Sequence, residues 1–403
     1  MTKLLYNLDS YVREFDSVVV SCESVTYDKQ QAYAIELEAT CFFPEQGGQD
    51  CDCGIICSSD TFDAEVLRDT DLFQKISNVL HVSIKDGIIS HICKAPIAVG
   101  TKVHGAIDFG ARFDQMQQHS GEHLFSGTVH RLFGYDNVGF HLSSRECTLD
   151  FNGTFTEEEL QKVEQIVNQA IYENFEVHVF IPSPEELKSI DYRSKKELTG
   201  DVRIVEFPGY DICACCAPHV ARTGEIGMIK LTAAEHFRGG TRLWIKCGQR
   251  ALADYIRLLD DCREVSRITS TKIEDLVQTV SRLNDSLKDT RFKLNGLERC
   301  ILDSLVSDRQ NTSDPVIFTE SASTDAVREA VNRLMSCCSG YCCIFTGSDT
   351  QGYRFIIGSK DSDCRQLITD LKQRFDIKGG GTAEMVQGTV LGSKTALYDF
   401  LQK

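Results

Sequence analysis

Short apolar runs separated by turn residues fill the first hundred positions. Val18-Val19-Val20-Ser21-Cys22, residues 32–37 and Val79-Leu80-His81-Val82-Ser83-Ile84 are bounded by Asp, Gly and Lys, and their length and spacing predict the strands of a small barrel. From Asp114 the period changes. Met116, Leu124, Phe125, Val129, Leu132 and Phe133 recur at three- and four-residue intervals, which predicts a helix closed by Gly134 at its C-terminus. Thr156-Glu157-Glu158-Glu159 has the spacing of a capping box, and Leu160, Val163, Ile166, Val167 and Ile171 carry a second amphipathic helix behind it. Strands are expected at 176–180, 202–207, 226–231 and 241–247, with a helix start at Ser183-Pro184-Glu185-Glu186. This alternation reads as α+β.

Residues 249–306 contain no proline and a single glycine, Gly296. Ile273, Val280, Leu287, Leu294 and Ile301 recur every seven positions, with Leu276, Leu283 and Leu297 three places after their partners, an a/d stripe of coiled-coil type. A long helix or helical hairpin is expected; residues 270–306, if continuous, would span roughly 55 Å. Packing along one domain and pairing with a second chain fit the stripe equally. A polar stretch from Ser307 to Pro315 breaks the pattern and reads as a linker. Beyond it, apolar runs at 316–318, 341–346 and 354–357 alternate with helical patterns at 326–335 and 364–375, the signature of a compact α/β domain. The expected class is therefore a multidomain α+β protein. It comprises a small N-terminal β-barrel (1–103), an α+β domain (104–248), a helical or coiled-coil connector (249–306) and a C-terminal α/β domain (315–403).

Composition narrows the function classes. The chain of 403 residues is 42% hydrophobic and 25% charged, enough to bury more than one core. No apolar run reaches 18 residues, and Asp9 arrives too early for a signal-peptide core, so a cytoplasmic protein without a membrane segment is expected. The eighteen cysteines are spread along the chain, as befits free thiols acting as small hydrophobes rather than a disulfide framework. A net charge of −16 excludes a broadly basic nucleic-acid coat. Structured RNA can nevertheless be read by shape and a few local contacts. Residues 350–403 carry eight Lys or Arg against six Asp or Glu, so the tail alone is mildly positive.

The chemistry concentrates in two short segments. His119 and His123 stand four apart inside the expected helix, which turns both imidazoles to one face. Some ninety residues on, Cys215-Cys216-Ala217-Pro218-His219 offers a cysteine and a histidine that could complete a tetrahedral N/S zinc site. Cys213 and Cys216 are competing thiols. Glu122, between the two histidines, is a base, a partner of the ligands, or a solvated helix charge.

Cys215 to His219, with Val220-Ala221-Arg222-Thr223-Gly224-Glu225-Ile226-Gly227 behind it, resembles the metal-binding half of the alanyl-tRNA editing domain. Phe42-Phe43-Pro44-Glu45-Gln46-Gly47-Gly48-Gln49, with Asp52 and Gly54, looks like the aromatic-Pro-Glu-x-Gly-Gly-Gln loop of the same family. Lys378-Gly379-Gly380-Gly381-Thr382-Ala383-Glu384-Met385-Val386-Gln387-Gly388 is similar to the glycine-rich signature of the tRNA-binding domain that ends alanyl-tRNA synthetases and long AlaX proteins. The family's usual Cys-Gly-Gly-Thr-His is altered here to Cys215-Cys216-Ala217-Pro218-His219, with the ligand interval kept.

The resemblance implies a long-form AlaX editing hydrolase, with one Zn2+ per chain on His119, His123, Cys215 and His219. Glu122 and Gln49 are carried as catalytic candidates, and Thr40, Gly47 and Gly48 as binders of the aminoacyl end. Thr40 stands where the family places a hydroxyl that pairs a seryl group. Lys378, Gly379, Gly380 and Gly381 are the expected contacts to the tRNA body. The implied reaction is deacylation of mischarged tRNA(Ala), chiefly Ser-tRNA(Ala) and also Gly-tRNA(Ala). With an editing unit at residue 1 and no aminoacylation domain, it is expected to act in trans. A homodimer through the connector and C-terminal domain is expected. The alternatives are editing of another tRNA such as mischarged tRNA(Thr), and a non-catalytic tRNA-binding protein with a structural zinc. Whether zinc activates water or only orients the substrate stays open at this level.

Overall fold

Two-residue turns with positive φ shape the N-terminal strands. In the computed structural model, which describes residues 1–61, 78–194 and 202–402, Asp28 and Lys29 (φ 47° and 63°) join β1 (Glu14–Tyr27) to β2 (Gln30–Leu37). Asp86 and Gly87 (φ 51° and 74°) join β4 (Val79–Lys85) to β5 (Ile88–Cys93) in the same manner. Left-handed pairs of this kind match the twist of the strands they connect. With β3 (Gly54–Ser58) and β6 (Lys102–Ile107), the neighbours run β1-β2-β5-β4-β3-β6 and return to β1 as a closed barrel. Among the described residues the β3–β4 seam rests on the pair Gly54–Val79. Phe15, Val19, Ile35, Leu37, Phe42, Val82 and Ile89 fill its interior.

Helix α1 (Phe109–Phe133) begins five residues before the expected start, because the Asp108 side chain accepts the Ala111 amide as an N-cap. Gly134 closes it at φ 68°. The helix is buried almost all round, polar residues included. Hydrogen bonds to other segments help to make this burial tolerable, although the Thr128 hydroxyl has no partner among the described residues. Gln118 bonds both the N–H and the C=O of Cys247 (2.8 and 3.0 Å), and Gln117 donates to the Glu225 carbonyl (2.8 Å).

Around α1 lie helix α2 (Glu157–Glu173), with the Thr156–Glu159 capping box in place, and two antiparallel sheets. One sheet has β7 (Asn137–Leu142), β8 (Cys147–Phe151), β12 (Ile229–Phe237) and β13 (Gly240–Cys247) in the order β12-β13-β8-β7. The other has β9 (His178–Phe180), β10 (Ile204–Phe207) and β11 (Asp211–Ala214) in sequential order. The strand expected at 226–231 starts later, since Thr223–Ile226 forms a 3-10 turn. Arg112 of α1, fully buried, ties helix to barrel: its guanidinium pairs with Asp52 and donates to the carbonyls of Cys41 (2.7 Å) and Ser10 (3.2 Å).

The chain divides into two compact units, Met1–Asp261 and Cys262–Lys403, the boundary falling inside helix α3 (Gly248–Thr269). The connector is not one helix. Ser270, at φ 51°, ends α3, and α4 (Leu276–Ser307) restarts after a 3-10 turn. The heptad period persists on both sides of this break because it is set by side-chain spacing, whereas continuity depends on the backbone at one residue. Val280, Leu287, Leu294 and Ile301 remain about half exposed, while Leu302 and Val306 at the far end are buried.

In the second unit the sheet order is β14 (Val316–Thr319), β15 (Cys342–Ser348), β16 (Gly352–Gly358), β18 (Met385–Leu391) and β17 (Asp376–Gly381). Helix α5 (Thr324–Cys337) and the end of α4 cover one face; α6 (Cys364–Lys372) and α7 (Lys394–Leu401) cover the other. The glycine triplet is not a turn. Gly379, Gly380 and Gly381 lie in edge strand β17, paired with Gly388, Gln387 and Val386. The eighteen cysteines are thiols, not disulfides, and no helix among the described residues is long and apolar enough to cross a membrane.

Candidate functional site

The i, i+4 pair on α1 meets the loop after β11. His119, His123 and His219 are each at most 4% exposed, and in every ring Nδ1 is held by a neighbour. His119 Nδ1 bonds Gln49 Oε1 (2.6 Å), whose amide nitrogen donates to Gln115 (2.9 Å). His123 Nδ1 bonds the Asp211 carboxylate (2.9 Å), and His219 Nδ1 the Ser120 hydroxyl (3.0 Å). The oxygens of Gln49 and Asp211 only accept, so Nδ1 carries the proton in His119 and His123 and leaves Nε2 as the lone pair, the usual support for a metal-ligating histidine; the Ser120 hydroxyl can accept from His219 in the same way.

Two of those Nε2 atoms converge on one sulfur. Cys215 Sγ is 3.6 Å from His119 Nε2 and 3.3 Å from His219 Nε2, and the ligand atoms of His119, His123, Cys215 and His219 all lie within 4.8 Å of one another. With Zn–S near 2.3 Å and Zn–N near 2.0 Å, a tetrahedral ion needs N···S and N···N separations of roughly 3.3–3.6 Å. The donor set and its spacing therefore fit zinc. Arg203 holds this loop by donating to the carbonyls of Cys215 (2.8 Å) and Ala217 (2.9 Å).

Burial lowers the basicity of His219, and the adjacent His123 and His119 lower it further. Burial is the largest single influence on His123 and acts in the same sense, but the hydrogen bond to Asp211 and the nearby Cys213, Glu122 and Asp211 together outweigh it and leave that ring above its ordinary value. Asp211 also receives Arg193 through two hydrogen bonds (2.7 and 2.9 Å). His123, Asp211 and Cys213 form a second group of potential ligands. Arg193 already supplies the positive charge there, so a second cation would face a fixed guanidinium. Burial pushes the Cys213 thiol up to about 11, which keeps it neutral.

Glu122 is buried beside the cluster. One carboxylate oxygen accepts from Ser126 (2.7 Å) and Asn137 (2.7 Å), and the other lies 3.9 Å from His123 Nε2, on the side the ligands share. It is therefore not a solvated helix charge. Gln49, expected as a catalytic candidate, is buried and orients His119. The Gly47-Gly48 turn (φ 66° and 87°) reverses the chain between Gln46 and Gln49, whose backbones pair (3.1 and 3.2 Å). The close approach expected toward a ligand is made at Gly48 to protein instead: a Cβ there would collide with the Phe140 carbonyl. The glycine pair thus serves to carry Gln49 into the cluster.

Thr40 is likewise engaged elsewhere. His91 Nδ1 donates to the Ile35 carbonyl (3.0 Å), so its Nε2 accepts from the Thr40 hydroxyl (2.9 Å), which in turn accepts the Phe42 amide (3.1 Å). Burial holds His91 neutral, its pKa lowered to about 4. The hydroxyl's single proton is thereby used inside the barrel, and a role in seryl selection finds no support in its surroundings. Thr40→Val is expected to lower stability by about 1–3 kcal/mol, by leaving His91 Nε2 unpaired. It should slow seryl and alanyl release equally; selective loss of seryl release, measured on both charged tRNAs, would restore the specificity role.

Lys378, Gly379, Gly380 and Gly381 belong to the second unit. Sequence reasoning missed Asp211, Arg193, Ser120 and Asn137. Asp211 lies 88 residues from His123, and a lone aspartate beside a strand carries no local signal of that partnership.

Residues 202–243 match the family described as the threonyl and alanyl tRNA synthetase second additional domain. An alanine–tRNA ligase of Ignicoccus hospitalis is 30% identical over 72% of this chain, covering 31% of the ligase; the chain thus spans about a third of such ligases. The alanyl-tRNA editing protein Aarsd1 of Rattus norvegicus is 28% identical over 70% of this chain and 67% of its own length. The alanyl-tRNA editing protein AlaX-L of Pyrococcus horikoshii is 23% identical, over 99% of this chain and 97% of that protein. End-to-end similarity to AlaX-L, together with the synthetase-type domain on the Cys215 and His219 segment, shows that the chain belongs to the AlaX-type alanyl-tRNA editing proteins.

Proposed function

We propose that the protein is a zinc-dependent hydrolase that deacylates mischarged tRNA(Ala) in trans, with Ser-tRNA(Ala) as the main substrate and Gly-tRNA(Ala) as a second. The observation that carries this reading is the convergence of three oriented imidazoles and the Cys215 thiol on one point, with the Glu122 carboxylate beside it. The names of the relatives support the substrate class. Zinc held by His119, His123, Cys215 and His219 supplies positive charge where negative charge develops during ester hydrolysis.

The chain's own groups do the rest. Glu122, fixed by Ser126 and Asn137, accepts a proton from the attacking water, whose oxygen bonds to the acyl carbon as the bond to the ribose oxygen breaks. The proton then returns to that ribose oxygen, so hydrolysis yields a free amino acid and an uncharged tRNA. Gln49, Asp211 and Ser120 hold the ligand rings in place throughout. The second unit supplies tRNA affinity, and the half-exposed stripe of Val280, Leu287, Leu294 and Ile301 on α4 is the proposed contact between two chains.

The test is deacylation of Ser-, Gly- and Ala-tRNA(Ala) and Ser-tRNA(Thr), each with and without a zinc chelator. Chelator-sensitive release of serine from tRNA(Ala) is expected, with little release of alanine. Preferred hydrolysis of Ser-tRNA(Thr) would make it an editor of a different tRNA. Binding without hydrolysis would make the zinc structural.

A further inference from the structure

Pairing across the C-terminal sheet lines up one row of side chains. Thr319 pairs with Thr346, Thr346 with Arg354, Arg354 with Thr389 and Thr389 with Lys378. Residues directly opposite in a sheet point to the same face. The five therefore form a polar row across β14, β15, β16, β18 and β17, on the face that α5 covers only in part. Where α5 begins, this face holds a cavity of about 320 Å³, floored by Val327 and Ile356 and edged by Thr346, Arg354, Gln387 and Thr389.

Its charge is unbalanced. Arg354 donates to the Ala322 carbonyl (3.1 Å) and Arg328 to the Gln387 amide oxygen (2.7 Å). Among the described residues no carboxylate forms an ion pair with Arg354, Arg328 or Lys378. By contrast Arg299, Arg333 and Arg365 of the same unit each have one. The start of α5 does not itself supply the attraction, because Glu298 already accepts the Ser323 amide (2.8 Å). In a chain of net charge −16, a cavity edged by Arg354, with Arg328 bonded to its Gln387 and Lys378 two strands along the same row, all three without a carboxylate, points to an anionic ligand. The volume lies at the small end for ligand pockets and suits one nucleoside-sized group rather than a peptide segment. An apolar floor with a rim of hydroxyls and an amide matches a flat base with polar edges.

We propose that this site binds one unpaired nucleotide of the RNA chain, its base in the cavity and its phosphate between Arg354 and Lys378. The inference rests on the reading that tRNA is the substrate. It extends that reading from the glycine strand to the sheet face beside it, adding Arg354, Thr346, Arg328 and Thr389 to Lys378.

The experiment compares the full-length protein with its Arg354→Ala and Lys378→Ala variants on two substrates, intact Ser-tRNA(Ala) and a seryl acceptor-stem minihelix that lacks the tRNA body. For intact tRNA each variant should raise KM about tenfold with kcat unchanged. The minihelix should be hydrolysed by all three proteins alike. Binding of uncharged tRNA should weaken by a similar factor, with a salt dependence shallower by about one counterion. Thr346→Val, which keeps the charges, should weaken tRNA without changing the salt slope. Unchanged KM and Kd in both charge variants, or an equal loss on the minihelix, would overturn the proposal. So would lost binding of free AMP with tRNA affinity intact, which would make this a mononucleotide site. If the parent protein hydrolyses neither substrate, the editing reading fails, and the uncharged-tRNA measurement still decides the nucleotide site.

Discussion

Replacing Cys215 with alanine is expected to reduce zinc from about one ion per chain to near none and to cut hydrolysis of Ser-tRNA(Ala) by more than about 100-fold. Changes outside the ligand set cost about 10- to 100-fold in metal affinity or activity, and loss of a ligand exceeds that. Cys215 is the anionic donor among the four, the other three being imidazoles supported through Nδ1 as neutral ligands. Without its thiolate, three buried neutral rings are left to hold a divalent cation. Cys216→Ala is the matched control: a Cβ built on Gly47 would be 3.9 Å from the Cys216 sulfur, which sets that thiol against the Gly47 turn, outside the group of four ligand atoms. Zinc measured by metal analysis should stay in Cys216→Ala. The opposite pattern, zinc kept in Cys215→Ala and lost in Cys216→Ala, would identify the other sulfur as the ligand.

The largest stability effect is expected at Asp52. Its carboxylate meets the fully buried Arg112 guanidinium and also accepts the Phe43 amide (2.6 Å), so Asp52→Ala strands a positive charge that water cannot reach. Breaking a buried pair from one side costs about 3–5 kcal/mol. For a unit of this size that corresponds to a fall in melting temperature of roughly 10 °C. The double change Asp52→Ala with Arg112→Met should be less damaging than Asp52→Ala alone, because the uncompensated charge is gone. A thermal melt of Asp52→Ala within about 2 °C of the parent, followed by circular dichroism, would show that the pair does not anchor the 41–54 loop to α1.

The cluster of candidate metal ligands was legible in the sequence because its geometry is local. A four-residue interval on a helix and a four-residue interval in a loop each put two ligands on one side before any tertiary contact forms. Asp28-Lys29 and Asp86-Gly87 were legible only as generic turns, and their left-handed backbones became evident with the strands they join. The surroundings of Gln49, Gly48 and Thr40 were not legible in the sequence for a common reason. Each depends on what fills the space opposite: the His119 ring, the Phe140 carbonyl and the His91 ring, respectively. Those partners lie 70, about 90 and 51 residues away, beyond the reach of any periodicity.

Patterning by itself determined the kinds of element and their order: alternating strands first, a helix bearing two histidines, a heptad-bearing helical stretch, then an α/β end. It also determined the donor set, since two imidazoles and a Cys/His pair are a chemical statement that needs no coordinates. The tertiary structure alone decided which sulfur faces the imidazoles, which groups fix each ring's Nδ1, that Glu122 is buried beside the ligands, and that the heptad helix breaks at Ser270. It also decided that Lys378 shares a sheet face with Arg354. The reason is physical. Spacing along a chain sets which side chains share a face, but hydrogen-bond satisfaction and burial are settled by what the opposing face brings, and here that face comes from tens of residues away.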